Sequence, residues 1–193
     1  TKILNKPEEI NISIAKPAAG ILQQAYVVYD TQKSALIKHV LKSSNWNSVI
    51  IFASTKETVK KLDVAFQRAG LPAKAFHSDL EQPEREVILR AFKNKQINML
   101  IGTDVLSRGI DVEGISLVIN FDVPPDPEDY VHRVGRTARA ETTGTAITFI
   151  NERDQNKFHS IETLIGDTIS KLPLPESIGE GPAYVPRQKR NVD

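Results

Sequence analysis

Apolar and polar positions divide most of the chain into short β-rich runs separated by stretches of helical period. Ser48-Val49-Ile50-Ile51-Phe52-Ala53 is apolar without alternation, the pattern of a strand covered on both faces in a parallel sheet. Residues 24–29, 73–77, 98–103, 117–122 and 144–150 are predicted as further strands. Between them lie amphipathic helices. Leu36, Ile37, Val40 and Leu41 repeat after a cap at Asp30 or Thr31. Val59, Leu62, Phe66 and Ala69 follow a capping box at Ser54-Thr55-Lys56-Glu57 and run to Gly70 and Pro72. Ile88, Leu89, Ala91 and Phe92 form the inner stripe of a helix starting near Pro83, and a last helix spans about residues 154–165. Strands alternating with helices predict βαβ units, a mostly parallel sheet and helices on both faces.

The ends of the chain differ. Ile10, Ile12 and Ile14 alternate like a strand and are followed by Lys16-Pro17-Ala18-Ala19-Gly20, a linker composition. Residues 1–20 are therefore expected to be the end of a preceding domain plus a linker, and residues 21–168 one α/β domain. Residues 169–193 are expected to be a flexible extension ending in the basic run Arg187-Gln188-Lys189-Arg190.

Ligands of such sheets gather at the carboxyl ends of the strands. The unusual residues lie in the segments that begin there. Tyr130-Val131-His132-Arg133-Val134-Gly135-Arg136-Thr137-Ala138-Arg139 opens with Asp126 as a cap and Pro127 at the first helical position. At helical spacing Tyr130, Val131, Val134 and Ala138 share an inner arc, while His132, Arg133, Arg136 and Arg139 share the opposite one. Positive groups alone repel one another, and arginine suits bidentate phosphate contact, so the arc predicts a phosphate-rich partner. Gly135 is expected to break the helix. Arg85 falls on the inner side of a first helical turn, where a cation opposes the dipole. It is either a snorkelling stem or a group awaiting an external anion. The run Gly102-Thr103-Asp104-Val105-Leu106-Ser107-Arg108-Gly109-Ile110-Asp111 combines glycines, hydroxyls and carboxylates after a buried strand. Thr103 there suits phosphate and Asp111 a ribose, although both carboxylates also fit ordinary turn and cap roles.

Composition narrows the partners. Lys+Arg 25 against Asp+Glu 24 leaves a net charge of +1, so nucleic-acid affinity must arise from charge placement. The absence of cysteine removes thiolate and Cys-based zinc chemistry and suits a reducing cytoplasm. No apolar run approaches the roughly 18 residues of a membrane span. The four histidines lack metal-ligand spacing, and no metal site is expected. Neither a P-loop nor a Gly-x-Gly-x-x-Gly fingerprint occurs, so any nucleotide site would be half a site.

In order and spacing, Val49 to Lys56, His77-Ser78-Asp79 with Gln82-x-x-Arg85, Gly102-Thr103-Asp104 through Arg108-Gly109-Ile110-Asp111, and His132-Arg133-x-Gly135-Arg136-x-x-Arg139 resemble motifs IV, IVa, V and VI of DEAD-box RNA helicases. The resemblance covers about residues 24–165 and implies the second RecA-like domain of such an enzyme, a three-layer α/β sandwich. Gly179-Glu180-Gly181-Pro182-x-Tyr184 resembles the bacterial RhlE-type branch. It implies that Arg136 and Arg139 are arginine fingers to the γ-phosphate of ATP, worth ~10³ or more in turnover. Gly109 and Asp111 would meet the ATP ribose and phosphates, with Mg²⁺ held mainly by the P-loop domain. Thr55, Gln82, Arg85, Thr103 and Asp104 would line single-stranded RNA, and His132 and Arg133 would link the two domains. Many members have glycine in place of Ala138 and Ser78. The implied protein is a cytoplasmic, monomeric, RNA-stimulated ATPase whose second domain is inactive alone. A stand-alone RNA-binding module and a DNA-directed translocase domain are the alternatives.

Overall fold

In the computed structural model, residues 17, 19–109, 112, 114–137 and 143–187 are described. Their strands are β1 (Ile21–Val27), β2 (Val49–Phe52), β3 (Ala73–Phe76), β4 (Met99–Gly102), β5 (Leu117–Asn120), β6 (Gly144–Ile150) and β7 (Ser170–Lys171). The helices are α1 (Lys33–Lys42), entered through a 3-10 turn at Asp30–Gln32, α2 (Lys56–Arg68), α3 (Gln82–Lys93), α4 (Asp104–Gly109), α5 (Pro127–Val134) and α6 (Gln155–Ile165). One sheet of order β3-β4-β2-β5-β6-β1-β7 contains all seven strands, and every pairing is parallel.

Every residue of β2, β4 and β5 is buried, which is why these strands are apolar apart from Asn120 at the end of β5, whose amide is hydrogen-bonded. Odd-numbered positions Val49, Ile51, Leu117 and Ile119 join the core beneath α1 and α2. Even-numbered Ile50, Phe52, Leu100 and Val118 meet Phe92 of α3 and Leu106 of α4. Further along the same face, Ala25, Ala146 and Ile150 pack against Tyr130, Val134, Phe158 and Ile161 of α5 and α6. The expected three-layer sandwich is thus present. Strand progression reverses at β2, whose neighbours are β4 and β5, so the segments leaving β4, β2 and β5 border one crevice.

Two local expectations change. Thr55, not Ser54, caps α2, its Oγ1 accepting from the Thr58 N–H at 3.1 Å. The capping box instead belongs to α3, where the Glu84 carboxylate accepts from the Glu81 N–H at 2.8 Å.

As far as Arg187 the extension lies along the domain as a strap. Leu174 and Ile178 pack on the α1 side of the sheet, and Tyr184 packs on the α6 side. The strap therefore passes around the β1–β7 edge of the sheet. Gln32 Nε2 donates to the carbonyls of Ile178 and Glu180 at 3.2 and 3.0 Å. Gln155 clasps the backbone on either side of Tyr184, donating to the Ala183 carbonyl and accepting from the Val185 N–H, both at 2.7 Å. The Glu162 carboxylate accepts from the Ile169 N–H, the Lys171 ammonium and the Tyr184 hydroxyl. Burial, and then the Glu162 charge, push the Tyr184 phenol above its ordinary range. These anchors are side chains distant in sequence, which composition does not reveal. The alternating strand expected near Ile10 and the basic residues Lys189 and Arg190 lie outside the described residues.

Candidate functional site

Helix α5 begins as its sequence predicts. The Asp126 carboxylate accepts from the Glu128 N–H at 3.1 Å, Pro127 occupies the first turn, and Gly135 is the C-cap. Tyr130 and Val134 are buried and His132 is exposed. Arg133, expected on the outer basic arc, is instead 0% exposed. Its Nε donates to Asp104 Oδ1 at 2.7 Å, and its Nη1 donates to Asn120 Oδ1 at 3.2 Å and to the Asp122 carbonyl at 3.3 Å. The guanidinium also lies 5.0 Å from the centre of the Phe52 ring. Helix α5 packs on the sheet face through Tyr130 and Val134 and meets α4 and the end of β5 through Arg133, so its inner face is wider than an ideal wheel with one solvent side allows. A long charged stem fills the extra space where carboxylate and amide oxygens receive it.

Arg136 follows the helix end. Its Nη2 donates to the Ser107 carbonyl of α4 at 2.5 Å, bringing the arginine segment against the motif that follows β4. Ser107 itself bonds back to the Asp104 carbonyl at 2.9 Å, and Arg108 approaches Asp129 of α5 at 3.7 Å. The two foci of the sequence, 29 residues apart, are therefore one structural unit. Gly109 ends α4; Asp111, Ala138 and Arg139 lie outside the described residues.

The expected RNA-contact residues open three consecutive helices at the carboxyl ends of adjacent strands β3, β4 and β2. Thr55 is exposed at the start of α2, and Gln82 is exposed at the start of α3, where it pairs with Glu86 at 3.3 Å. Thr103 and Asp104, both partly exposed, start α4. Helix starts carry partial positive charge and unpaired N–H groups, so this edge favours anions. The Arg85 guanidinium lies over the Phe76 ring at 5.9 Å, and its Nη2 donates to the Ser78 carbonyl at 3.1 Å. Its Nε is buried and has no hydrogen-bond partner among the described residues.

Sequence reasoning missed three participants. Asp79 receives Lys60 at 2.7 Å and Lys56 at 3.1 Å, and these two bonds hold its carboxyl down at about 2. Lys33 is 1% exposed and bonds Asp122 Oδ1 at 2.9 Å and Asp30 Oδ1 at 3.2 Å. Asp122 Oδ2 accepts from the Ser54 N–H at 2.9 Å. A signal for Lys33 existed, because it stands on the stripe continued by Leu36, Ile37, Val40 and Leu41. Asp79 stood in the His77-Ser78-Asp79 run but without a mark of its lysine partners, and Asp122 carried no signal, since carboxylates just beyond strands are common turn residues.

The donor set is chemically one-sided. Arg85 and Arg136 are partly exposed beside the helix starts while Arg133 is buried, and no cluster of His, Cys, Asp or Glu among the described residues is placed to hold a metal ion. Among those residues no helix is long and apolar enough to cross a membrane.

Residues 32–141 match the helicase conserved C-terminal domain family. Over 175 residues the chain is 39% identical to the DEAD-box ATP-dependent RNA helicase CshA of Bacillus subtilis, a match covering 90% of this chain and 35% of that relative's length. The C-terminal domain of the DEAD-box protein Dbp5 superposes with a TM-score of 0.75 at 30% identity, covering 80% of this chain and 91% of that one. Saccharomyces cerevisiae Dbp5 bound to RNA and ADP BeF3 gives 0.76 at 30% identity, covering 81% and 42%. With its all-parallel sheet, its motif segments on one edge and these likenesses, the chain belongs to the helicase conserved C-terminal domain family and is the C-terminal RecA-like domain of a DEAD-box helicase.

Proposed function

We propose that this domain is half of an ATP-dependent RNA helicase, facing a P-loop domain of the same protein across a cleft at the carboxyl edge of the sheet. The observation that carries this reading is the contact of Arg136 with α4, which gathers the arginine segment and the β4–α4 motif at one place on that edge. Arg136 and Arg139 reach toward the γ-phosphate, while Gly109 and Asp111 meet the ribose and phosphates. The carboxylates at this edge are engaged by Arg133, Lys33, Lys56 and Lys60, and metal and triphosphate are gripped mainly by the other domain. ATP, when bound there, supplies the free energy of the closing cycle.

Thr55, Gln82, Arg85 and Thr103 hold the sugar-phosphate backbone of single-stranded RNA without reading bases. Asp104, its charge engaged by Arg133, accepts from a ribose 2′-hydroxyl. His132, exposed on α5, makes the interdomain contact, and the buried Arg133 supports it from beneath. Interdomain closure unwinds short RNA duplexes.

The test is ATP turnover and short-duplex separation by the full-length helicase with RNA or its 2′-deoxy counterpart. RNA-selective stimulation, with no turnover by this domain alone, is expected. Equal stimulation by DNA, or turnover by the isolated domain, would contradict the proposal.

A further inference from the structure

We infer that Asp122 is a positioning residue that couples the RNA-contact segments to the arginine segment. Three elements converge on it. Lys33 of α1 donates to its Oδ1 at 2.9 Å, the Ser54 N–H donates to its Oδ2 at 2.9 Å, and Arg133 of α5 donates to its carbonyl at 3.3 Å. Ser54 immediately precedes Thr55, the cap of α2. Arg133 in turn holds Asp104, immediately after Thr103, at 2.7 Å. Arg133 lies one helical turn before Arg136.

A continuous set of bonds thus joins the starts of α2 and α4 to the helix that aims Arg136. The Ser54 link lies at the surface, while the Lys33 and Arg133 links are partly buried, with those side chains 2% and 0% exposed and that of Asp122 19% exposed. Such groups cannot slide continuously, because a displaced charge beneath the surface leaves its partner unsatisfied. Movement of α5 as Arg136 engages the nucleotide is carried through Arg133 and Asp122 to the backbone at Ser54. A phosphate settling at Thr55 or Thr103 acts along the same bonds in reverse, as linkage requires. Lys33 balances the charge of Asp122 and leaves both carboxylate oxygens occupied.

This inference rests on the two-ligand function proposed above, and its test separates the two. RNA affinity of the full-length helicase is measured with and without ADP–beryllium fluoride, and the ratio is the coupling. In Asp122→Asn the ratio is expected to fall by about 5-fold, with RNA affinity in the absence of nucleotide little changed. Asp30→Asn is the control. It removes the other carboxylate from Lys33, at 3.2 Å, without touching the Ser54 or Arg133 bonds, so it lowers thermal stability but preserves the ratio. Should Asp122→Asn not fold, Asp122→Glu keeps the charge beside Lys33 while displacing the acceptor from Ser54, and the same fall is expected. A wild-type ratio of one would overturn the functional proposal itself. Strong wild-type coupling that survives in the Asp122 variants, or is lost equally in Asp30→Asn, would overturn the positioning role alone.

Discussion

Gly181→Ala tests how firmly the strap belongs to the domain. A Cβ at this position would stand 2.2 Å from the Val27 carbonyl oxygen, 2.9 Å from Leu174 Cδ1 and 3.2 Å from the Val27 carbonyl carbon. The first contact is with backbone, and no rotamer relieves it. Val27 cannot retreat, because it pairs with Ile150 at the end of β1 and the next residue donates to the Ile150 carbonyl at 2.8 Å. The strap must therefore lift, straining the Gln32 bonds on one side and the Gln155 clasp on the other. Overpacking of this kind costs about 1–3 kcal/mol. A midrange loss of about 2 kcal/mol lowers the melting temperature of a domain this size by roughly 4–8 °C. Circular dichroism melts measure that shift, and hydrogen exchange at the Val185 and Arg187 amides, bonded to Gln155 and Asn156, reports local lifting. A loose strap predicts the opposite sign, since alanine would then stabilise by about 0.4–1 kcal/mol through the unfolded chain. An unchanged or raised melting temperature with unaltered exchange would refute the strap account.

Three more outcomes are expected. Arg133→Met removes one partner of a buried ion pair and leaves Asp104 and Asn120 unmatched, costing about 3 kcal/mol in urea unfolding; a loss below about 1 kcal/mol would mean that the pair behaves as a surface contact. Thr55→Ala removes the α2 cap and lowers stability by about 1 kcal/mol, whereas Thr55→Ser retains most of it. The Asp79 carboxyl, held at about 2 against an ordinary 3.8, keeps its lysine pairing above 3.8 and loses it as pH falls toward 2. An NMR titration should give that midpoint, moving upward in Lys60→Ala, because the Lys60 bond is the largest cause; an unmoved midpoint would dismiss the pairing.

Strand positions were legible because β2, β4 and β5 are buried on both faces and are apolar except at Asn120, where β5 ends. The edges of the domain were not. β7 is only two residues long, and the strap is tied down by Gln32, Gln155 and Glu162 through bonds that leave no periodic trace. The Gly179-Glu180-Gly181-Pro182-x-Tyr184 stretch looks like linker in composition, yet Gly181 is there because β1 leaves no room for a side chain. At the site, residue types and their edge of the sheet could be read directly. Which arginine is buried could not, because Arg133 is distinguished from Arg136 only by Asp104 and Asn120, delivered from β4 and β5. Long-range polar contacts of that kind appear only once the strands are assembled.

Whether the arginine segment completes an ATP site across a domain cleft is decided by RNA-stimulated ATP turnover of the full-length helicase carrying Arg136→Ala. A fall of about 10³-fold in turnover is expected, with RNA affinity measured in parallel largely retained. Turnover at the wild-type level in that variant would contradict it and leave Arg136 as a structural tie to Ser107.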